Sequence, residues 1–408
     1  MPSFINANIN ILKLGWRALT EVSLKANLKA AWLYGVKGGL AIRAHRARQK
    51  KGILYPPFIY IDLTNSCNLR CKGCWVEKEG EVRTIPLEDV KTIIEHSKKN
   101  KSYFHTLLGG EPFMYKGIWD IFKDNPDCYF QVITNGMMFT PNNVDTLAKL
   151  GNVTPLISID GFAENNDDRR GKEVYESAMA GIARLQEKKI LFGIATTITA
   201  NNFEEVFSDA YLNHFISKGA LYIWYYVYRP VGNEPNPHFC LTKEQIIGVR
   251  KKLLEVRKRF PILIIDSYWT AEGEAFCPAA IGLGYHVGPE SSIEICPPLS
   301  FAVEKINDNS GDLTKTFNES HFLKDFQTFV KDRTKGCVIL EHPQELADFI
   351  QNKGAKDFST RDAYKELRDI TPRHSQHLPD SEIPEDFWFY KLLKKQAYMS
   401  MDKINDKK

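Results

Sequence analysis

No run of about 18 apolar residues occurs in this chain, which excludes a membrane-spanning helix. The start lacks a charged segment followed by an apolar core and a small-residue cleavage site, so no secretory leader is expected. Net charge is small too: 54 Lys/Arg against 50 Asp/Glu leave +4, too little to suggest a nucleic-acid partner. There is no low-complexity tract. Cysteine is sparse, with eight in 408 residues, and Cys67, Cys71 and Cys74 crowd together as no secreted disulfide framework requires. These absences leave a globular cytoplasmic protein in which thiolates are available to metal, and a 43% hydrophobic content is enough to fill a core.

One segment departs from this balance. Residues 1–51 carry ten Lys/Arg and a single acid, Glu21. Between Ile9 and Arg48 there is no proline, and Lys13, Arg17, Glu21, Lys25 and Lys29 recur at intervals of four, with Leu12, Trp16, Leu19, Leu28 and Trp32 between them. This is an amphipathic helical pattern. It fits either a helix packed on the protein with its basic face in solvent, or an interfacial helix drawn to anionic lipid through residues 9–51. The second reading would place the protein peripherally at the inner membrane face.

From Tyr55 onward short β-rich runs alternate with longer amphipathic ones. Strands are expected at Phe58–Leu63, Tyr103–Leu108, Phe130–Thr134, Thr154–Asp160, Phe192–Thr199 and Leu221–Tyr228. Helices are expected at Leu87–Lys99, Ile118–Lys123, Val144–Leu150, Val174–Lys188, Glu204–Ser217 and Lys243–Phe260. Such alternation means parallel strands joined by crossover helices. The expected fold class is α/β, a partial (βα)6 TIM-like barrel over residues 53–260. Residues 1–52 would form the helical segment, 261–345 a Gly-, Pro- and Cys-containing auxiliary unit, and 346–408 a tail packed on the body, with Phe387–Tyr398 as a short helix. Chemistry in such barrels gathers at the C-terminal ends of the strands.

Cys67-Asn-Leu-Arg-Cys71-Lys-Gly-Cys74 lies in the loop after the first expected strand. A closely spaced cysteine loop can wrap one face of a cubane and bind three of its irons, leaving the fourth open. Structural zinc would require a fourth ligand, and the loop offers none. Three further motifs follow in order: Gly109-Gly110-Glu111-Pro112 after the second strand, Thr134-Asn135-Gly136 at the end of the third, and Ser158-Ile159-Asp160-Gly161 at the end of the fourth. Over residues 55–230 this set resembles the radical S-adenosylmethionine (SAM) superfamily.

The resemblance implies a 4Fe–4S cluster on Cys67, Cys71 and Cys74 with SAM chelated at the open iron. Gly109, Gly110 and Glu111 would meet the methionine amino group, and Ser158 and Asn135 the ribose or carboxylate. Arg170 would pair with the carboxylate, and Thr197 is a further ribose candidate. Gly73 stands where the family often carries an aromatic residue, and Trp75 follows the third cysteine. The implied reaction is reductive cleavage of SAM to a 5′-deoxyadenosyl radical that abstracts hydrogen from substrate, with the difficult chemistry belonging to the cofactor.

Cys277, Cys296 and Cys337 lie beyond the expected barrel, and their order resembles the SPASM or twitch extension. That resemblance implies a second, auxiliary 4Fe–4S cluster, for which Cys240 is a candidate fourth ligand. Cys128 reads as core packing. The extension points to a peptide or protein substrate, the basic N-terminus to a lipid-like one. An electron donor such as flavodoxin or ferredoxin is implied in either case. The competing classes are a non-catalytic iron–sulfur electron carrier and a zinc-stabilised binding protein.

Overall fold

A computed structural model describes residues 2–77, 80–232 and 234–395. Four helical pieces come first: α1 (Pro2–Glu21), α2 (Leu24–Lys29), a wide π-helical stretch over Ala30–Lys37, and α3 (Gly38–Gln49). Then β1 (Ile59–Asp62), β2 (Phe104–Leu108), β3 (Tyr129–Thr134), β4 (Val153–Ser158), β5 (Gly193–Ile198) and β6 (Tyr222–Val227) follow, each within two residues of an expected strand start. Their crossovers are α4 (Leu87–Lys99), α5 (Ile118–Asp124), α6 (Pro141–Leu150), α7 (Ala163–Arg170) with α8 (Val174–Glu187), and α9 (Phe203–Val206) with α10 (Asp209–Ser217). The helix expected over 204–217 is broken because Ser208 caps α10, its hydroxyl accepting the Tyr211 N–H at 3.2 Å. The strands are parallel and mostly buried; β2 is covered at every position, as helices on a parallel sheet require.

The sheet continues past the expected barrel on both edges. After α11 (Lys243–Arg259), β7 (Leu263–Ile265) pairs parallel to β6. On the other edge β8 (Tyr285–Val287) pairs parallel to β1, and β9 (Ile293–Glu294) turns back antiparallel to β8. The order is β7-β6-β5-β4-β3-β2-β1-β8-β9, an open partial barrel of nine strands. The boundary expected at 260/261 therefore runs through one continuous sheet. Beyond it the region is more helical than loop-rich, with α12 (Leu313–Glu319), α13 (His321–Lys331), α14 (Val338–Glu341), α15 (Pro343–Asn352) and α16 (Ala363–Asp369).

The C-terminal helix α17 spans Trp388–Leu393, and residues 396–398 of the longer expected helix lie outside the described residues. It is anchored by buried charge. Arg257 donates to Glu385 at 2.6 Å and pairs with Asp266, which also meets Lys394 at 3.1 Å. Burial alone would raise the Asp266 carboxyl, but Lys394, Arg257 and Arg250 outweigh it and hold it well below the usual range.

The N-terminal helices lie across the opposite end of the barrel from these strands' C-termini. Arg17 donates to the carbonyls of Pro261 and Ile216 at 2.9 Å and Ala220 at 3.0 Å. Lys29 reaches Leu150 O at 2.8 Å, Lys37 reaches Asp127 O at 3.0 Å, and the Ser23 N–H bonds Lys189 O at 2.8 Å. Apart from that of Ile216, each of these carbonyls sits just ahead of a strand, so α1 to α3 cover the N-terminal mouth.

Removing Arg257 leaves two carboxylates buried with less cation than they need. Arg257→Met is expected to lower unfolding free energy by about 3 to 5 kcal/mol in denaturant titration; a loss under about 1 kcal/mol would show that the tail is held by packing alone.

Candidate active site

The loop after β1 is fastened before it reaches its first cysteine. Thr64 and Thr84 share a hydroxyl hydrogen bond of 2.9 Å, and Asn65 accepts the Arg83 N–H at 2.8 Å while donating to Glu81 O at 3.1 Å. The turn after β2 then closes on it from the side. Gly110 N–H donates to Thr64 O at 2.7 Å, and Glu111 N–H to Ser66 O at 2.9 Å. Neither glycine has room for a side chain. A Cβ on Gly109, at φ +130°, would lie 2.2 Å from an Asp62 oxygen, and one on Gly110 would lie 2.2 Å from Ser66 O. The missing Cβ atoms let this turn approach the cysteine loop, besides exposing backbone to the cavity beyond.

That cavity, about 320 Å³, is lined by Cys67, Cys71 and Cys74, by Gly109 and Gly110, and by Asn135, Ser158, Arg170 and Thr197. Nine of the ten residues expected to hold the first cluster or SAM face this cavity; Glu111 alone does not. Its carboxylate is fully buried, accepting from Thr134 Oγ1 at 2.7 Å, Asn135 N at 2.8 Å and Phe113 N at 3.2 Å. In the structure the Glu111 carboxylate ties the second turn to the third. Asn135 carries the tie onward, donating to Asn68 Oδ1 at 2.7 Å.

Arg170 faces the cavity but is already paired, 2.7 Å from buried Asp160. Arg169, which the sequence reading passed over although it lies in the same Asp-Arg-Arg run, also lines the cavity and pairs with Asp160. Burial raises the Asp160 carboxyl, yet Arg170 and Arg169 together hold it below its ordinary value, so it stays ionised. Asp160 also accepts the Thr197 N–H at 2.8 Å, fixing the end of β5. At Gly73, φ is +60°, and an added Cβ would lie 2.3 Å from the Tyr228 hydroxyl. The Tyr228 ring, just past β6, fills the space beside Gly73.

Cys277, Cys296 and Cys337 line the same cavity. Cys240 does not; it is buried against Tyr228 and Phe239. Cys128 belongs to the main core. Among the second set stands Arg229, whose Nε donates to Cys337 Sγ at 3.0 Å and whose Nη1 donates to Val227 O at 2.7 Å. Burial pushes the Cys277 thiol up to about 11 and Cys296 above its ordinary value, with Arg229 opposing both. Among the described residues no group of three His, Cys, Asp or Glu side chains could hold a single metal ion. Cubane thiolates bind separate irons and need not converge on one point, unlike zinc ligands.

The sequence model of the radical SAM superfamily matches residues 61–208, from β1 through all four turns. Those residues form a radical SAM domain. Its curated relatives include an AdoMet-dependent heme synthase of Methanosarcina barkeri, 29% identical over 47% of this chain and 57% of that protein. Another is the sporulation killing factor maturation protein SkfB of Bacillus subtilis, 31% identical over 36% of this chain and 37% of SkfB. The chain thus spans between about a third and three fifths of these relatives' lengths. Streptococcus suis SuiB bound to precursor peptide SuiA shares the radical SAM fold, with TM-score 0.58 and 17% identity over 73% of this chain and 72% of SuiB.

The residues present suit a radical SAM cofactor set. Three thiols stand at the wall, a glycine pair leaves backbone bare, and Asp62 Oδ1 is buried beside Gly109 with no hydrogen-bond partner in the protein. The Glu111 strut has its own signature. Burial pushes its carboxyl from 4.5 up to about 7, against three hydrogen bonds. A raised folded value makes its contribution to stability complete below 4.5 and lost as pH climbs through about 7. The melting temperature is expected to fall across that window, and Glu111→Gln to flatten the fall; superimposable profiles would remove Glu111 from the account.

Proposed function

We propose that this chain cleaves SAM reductively and uses the resulting radical to abstract hydrogen from a peptide or protein substrate. The observation that carries this reading is that both cysteine sets, far apart in sequence, face one cavity at the C-terminal ends of the strands. Cys67, Cys71 and Cys74 would hold a 4Fe–4S cluster, which when bound and reduced supplies one electron to the sulfonium of SAM. Gly109 and Gly110 present backbone to the methionine end, while Ser158, Asn135 and Thr197 offer polar atoms along the wall. Arg170 and Arg169 add positive charge, part of it already balanced by Asp160. The apolar wall, with Tyr226, Tyr228, Trp75 and Leu299, keeps water from a reactive species. A low-potential donor such as flavodoxin or ferredoxin would supply the electron.

Cys277, Cys296 and Cys337 would hold an auxiliary 4Fe–4S cluster across the same cavity. Arg229 supports this. Among the described residues no carboxylate pairs with it, and the anions it can meet are thiolates. Its positive charge favours a more reduced, more negative neighbour. A peptide substrate is supported by the likeness to SkfB, a maturation protein, and to SuiB, which binds a precursor peptide. A membrane lipid is the second reading, favoured by the apolar N-terminal helices, but these cover the end of the barrel away from the cavity.

Anaerobically reconstituted protein given dithionite and SAM is expected to release 5′-deoxyadenosine, and Cys67/Cys71/Cys74→Ala to release none; equal product from both would sink this reading. That triple variant is expected to retain about one cluster's worth of iron. In it, Arg229→Met should lower the midpoint potential of the remaining cluster by about 59 mV, tenfold in a one-electron equilibrium, in an EPR-monitored titration. An unchanged potential at equal iron content would deny Arg229 that influence.

A further inference from the structure

The N-terminal helices wear their amphipathicity the unusual way round. Val22, Ala26 and Leu33 are buried against the strands and Ala7 against α17, and Ala41 is buried as well. The cations Arg17, Lys29 and Lys37 also turn inward, because the turns ahead of the strands present carbonyls that need donors. What is left outside is apolar. Of fifteen exposed large hydrophobic residues among the described ones, ten lie between Ile9 and Leu40. Leu12 is 73% exposed, Trp16 69%, Leu19 70% and Leu28 62%. Isolated exposed apolar residues are ordinary, but a run of them along one helical segment marks an interaction surface.

Charge identifies the occupant. The exposed cations Lys13, Arg43, Lys50 and Lys51 flank this face, and the one acid in residues 1–51, Glu21, is consumed by Arg17 at 2.7 Å. A face of Leu and Trp on a segment with exposed cations, whose one acid is already paired, matches the boundary of an anionic bilayer, where the rings and aliphatic chains enter the acyl edge and the lysines meet phosphate. No helix among the described residues is long and apolar enough to cross a membrane, so the contact is with one leaflet.

We propose that α1 to α3 dock this protein on an anionic phospholipid surface with the catalytic cavity facing away from it. The orientation follows from the fold: the helices bond to carbonyls ahead of the strands, whereas both cysteine sets line the cavity at the strands' far ends. Membrane docking then leaves the cavity open to a substrate from the aqueous side. The docking surface itself does not depend on the proposed chemistry.

The test is flotation of the full chain with vesicles of 30% phosphatidylglycerol in phosphatidylcholine, beside vesicles of phosphatidylcholine alone. Binding to the anionic vesicles is expected, weakened at least tenfold by raised salt, by neutral lipid, or by Trp16→Ser with Leu19→Ser and Trp32→Ser. These side chains are exposed, so circular dichroism of the variant should match the parent. Equal recovery of parent and variant, or no recovery with either lipid, overturns the proposal. So does a salt-stable dimer that the same substitutions break. For orientation, brominated lipids should quench tryptophan fluorescence less in Trp16→Phe/Trp32→Phe and as before in Trp75→Phe. The reverse pattern would put the bilayer over the cavity and overturn the facing.

Discussion

Two backbone hydrogen bonds hold the catalytic end together, Gly110 N–H to Thr64 O and Glu111 N–H to Ser66 O. They require the turn after β2 to lie within bonding distance of the loop after β1, closer than any side chain at 109 or 110 permits. With that contact made, Glu111 is carried into the interior, where Thr134 and Asn135 satisfy it. Asn135 in turn reaches back to Asn68 in the cysteine loop. At the fourth strand Asp160 collects Arg169, Arg170 and the Thr197 amide. The motif residues at the strand ends form a ring of mutual supports, and several that resemble ligand contacts are the struts that position the others.

Charge in the cavity is arranged in two halves. Beside the first cysteine set stands Arg169, close enough for Cys71 and Cys74 to act on it, yet tethered to Asp160. Beside the second stands Arg229, held by the Val227 carbonyl, the Cys337 sulfur and the Tyr268 ring, with no carboxylate among the described residues. In a poorly solvated cavity an arginine without a carboxylate is costly unless a stable negative group faces it. The two arginines therefore distinguish the two halves: Arg169 is balanced by Asp160, and Arg229 faces thiols and an aromatic ring.

The two ends of the barrel do different work. At the N-terminal end, the turns entering the strands expose carbonyls, and the cations of the first helices cap them. At the C-terminal end, long loops leave the strands and carry the cysteines. Parallel strands separate these ends by construction, which keeps the apolar outer face of α1 to α3 away from the cavity.

Much of this was legible beforehand. The six strands, their crossovers, the cysteine triplet and the ordered turns are local patterns, each set by periodicity or by spacing within a few residues, and local patterns survive in a linear reading. The burial of Glu111 among three donors and of Cys240 away from the second cysteine set was not legible in the sequence, since a buried carboxylate and a residue on a cavity look alike in one dimension. Arg169, Arg229 and Tyr228 acquire meaning only from neighbours that are distant in the chain. The amphipathic N-terminus was evident from its spacing, but spacing says that two faces differ, not which one turns inward. That choice was made by the carbonyls at the barrel's N-terminal mouth, which claimed the cations, and by small side chains that fit closely against it. The sequence by itself determined the elements and the cysteine loop; the assembly of strand ends decided which residues face the cavity and which face outward, because hydrogen-bond partners and packing space exist only once the sheet has formed.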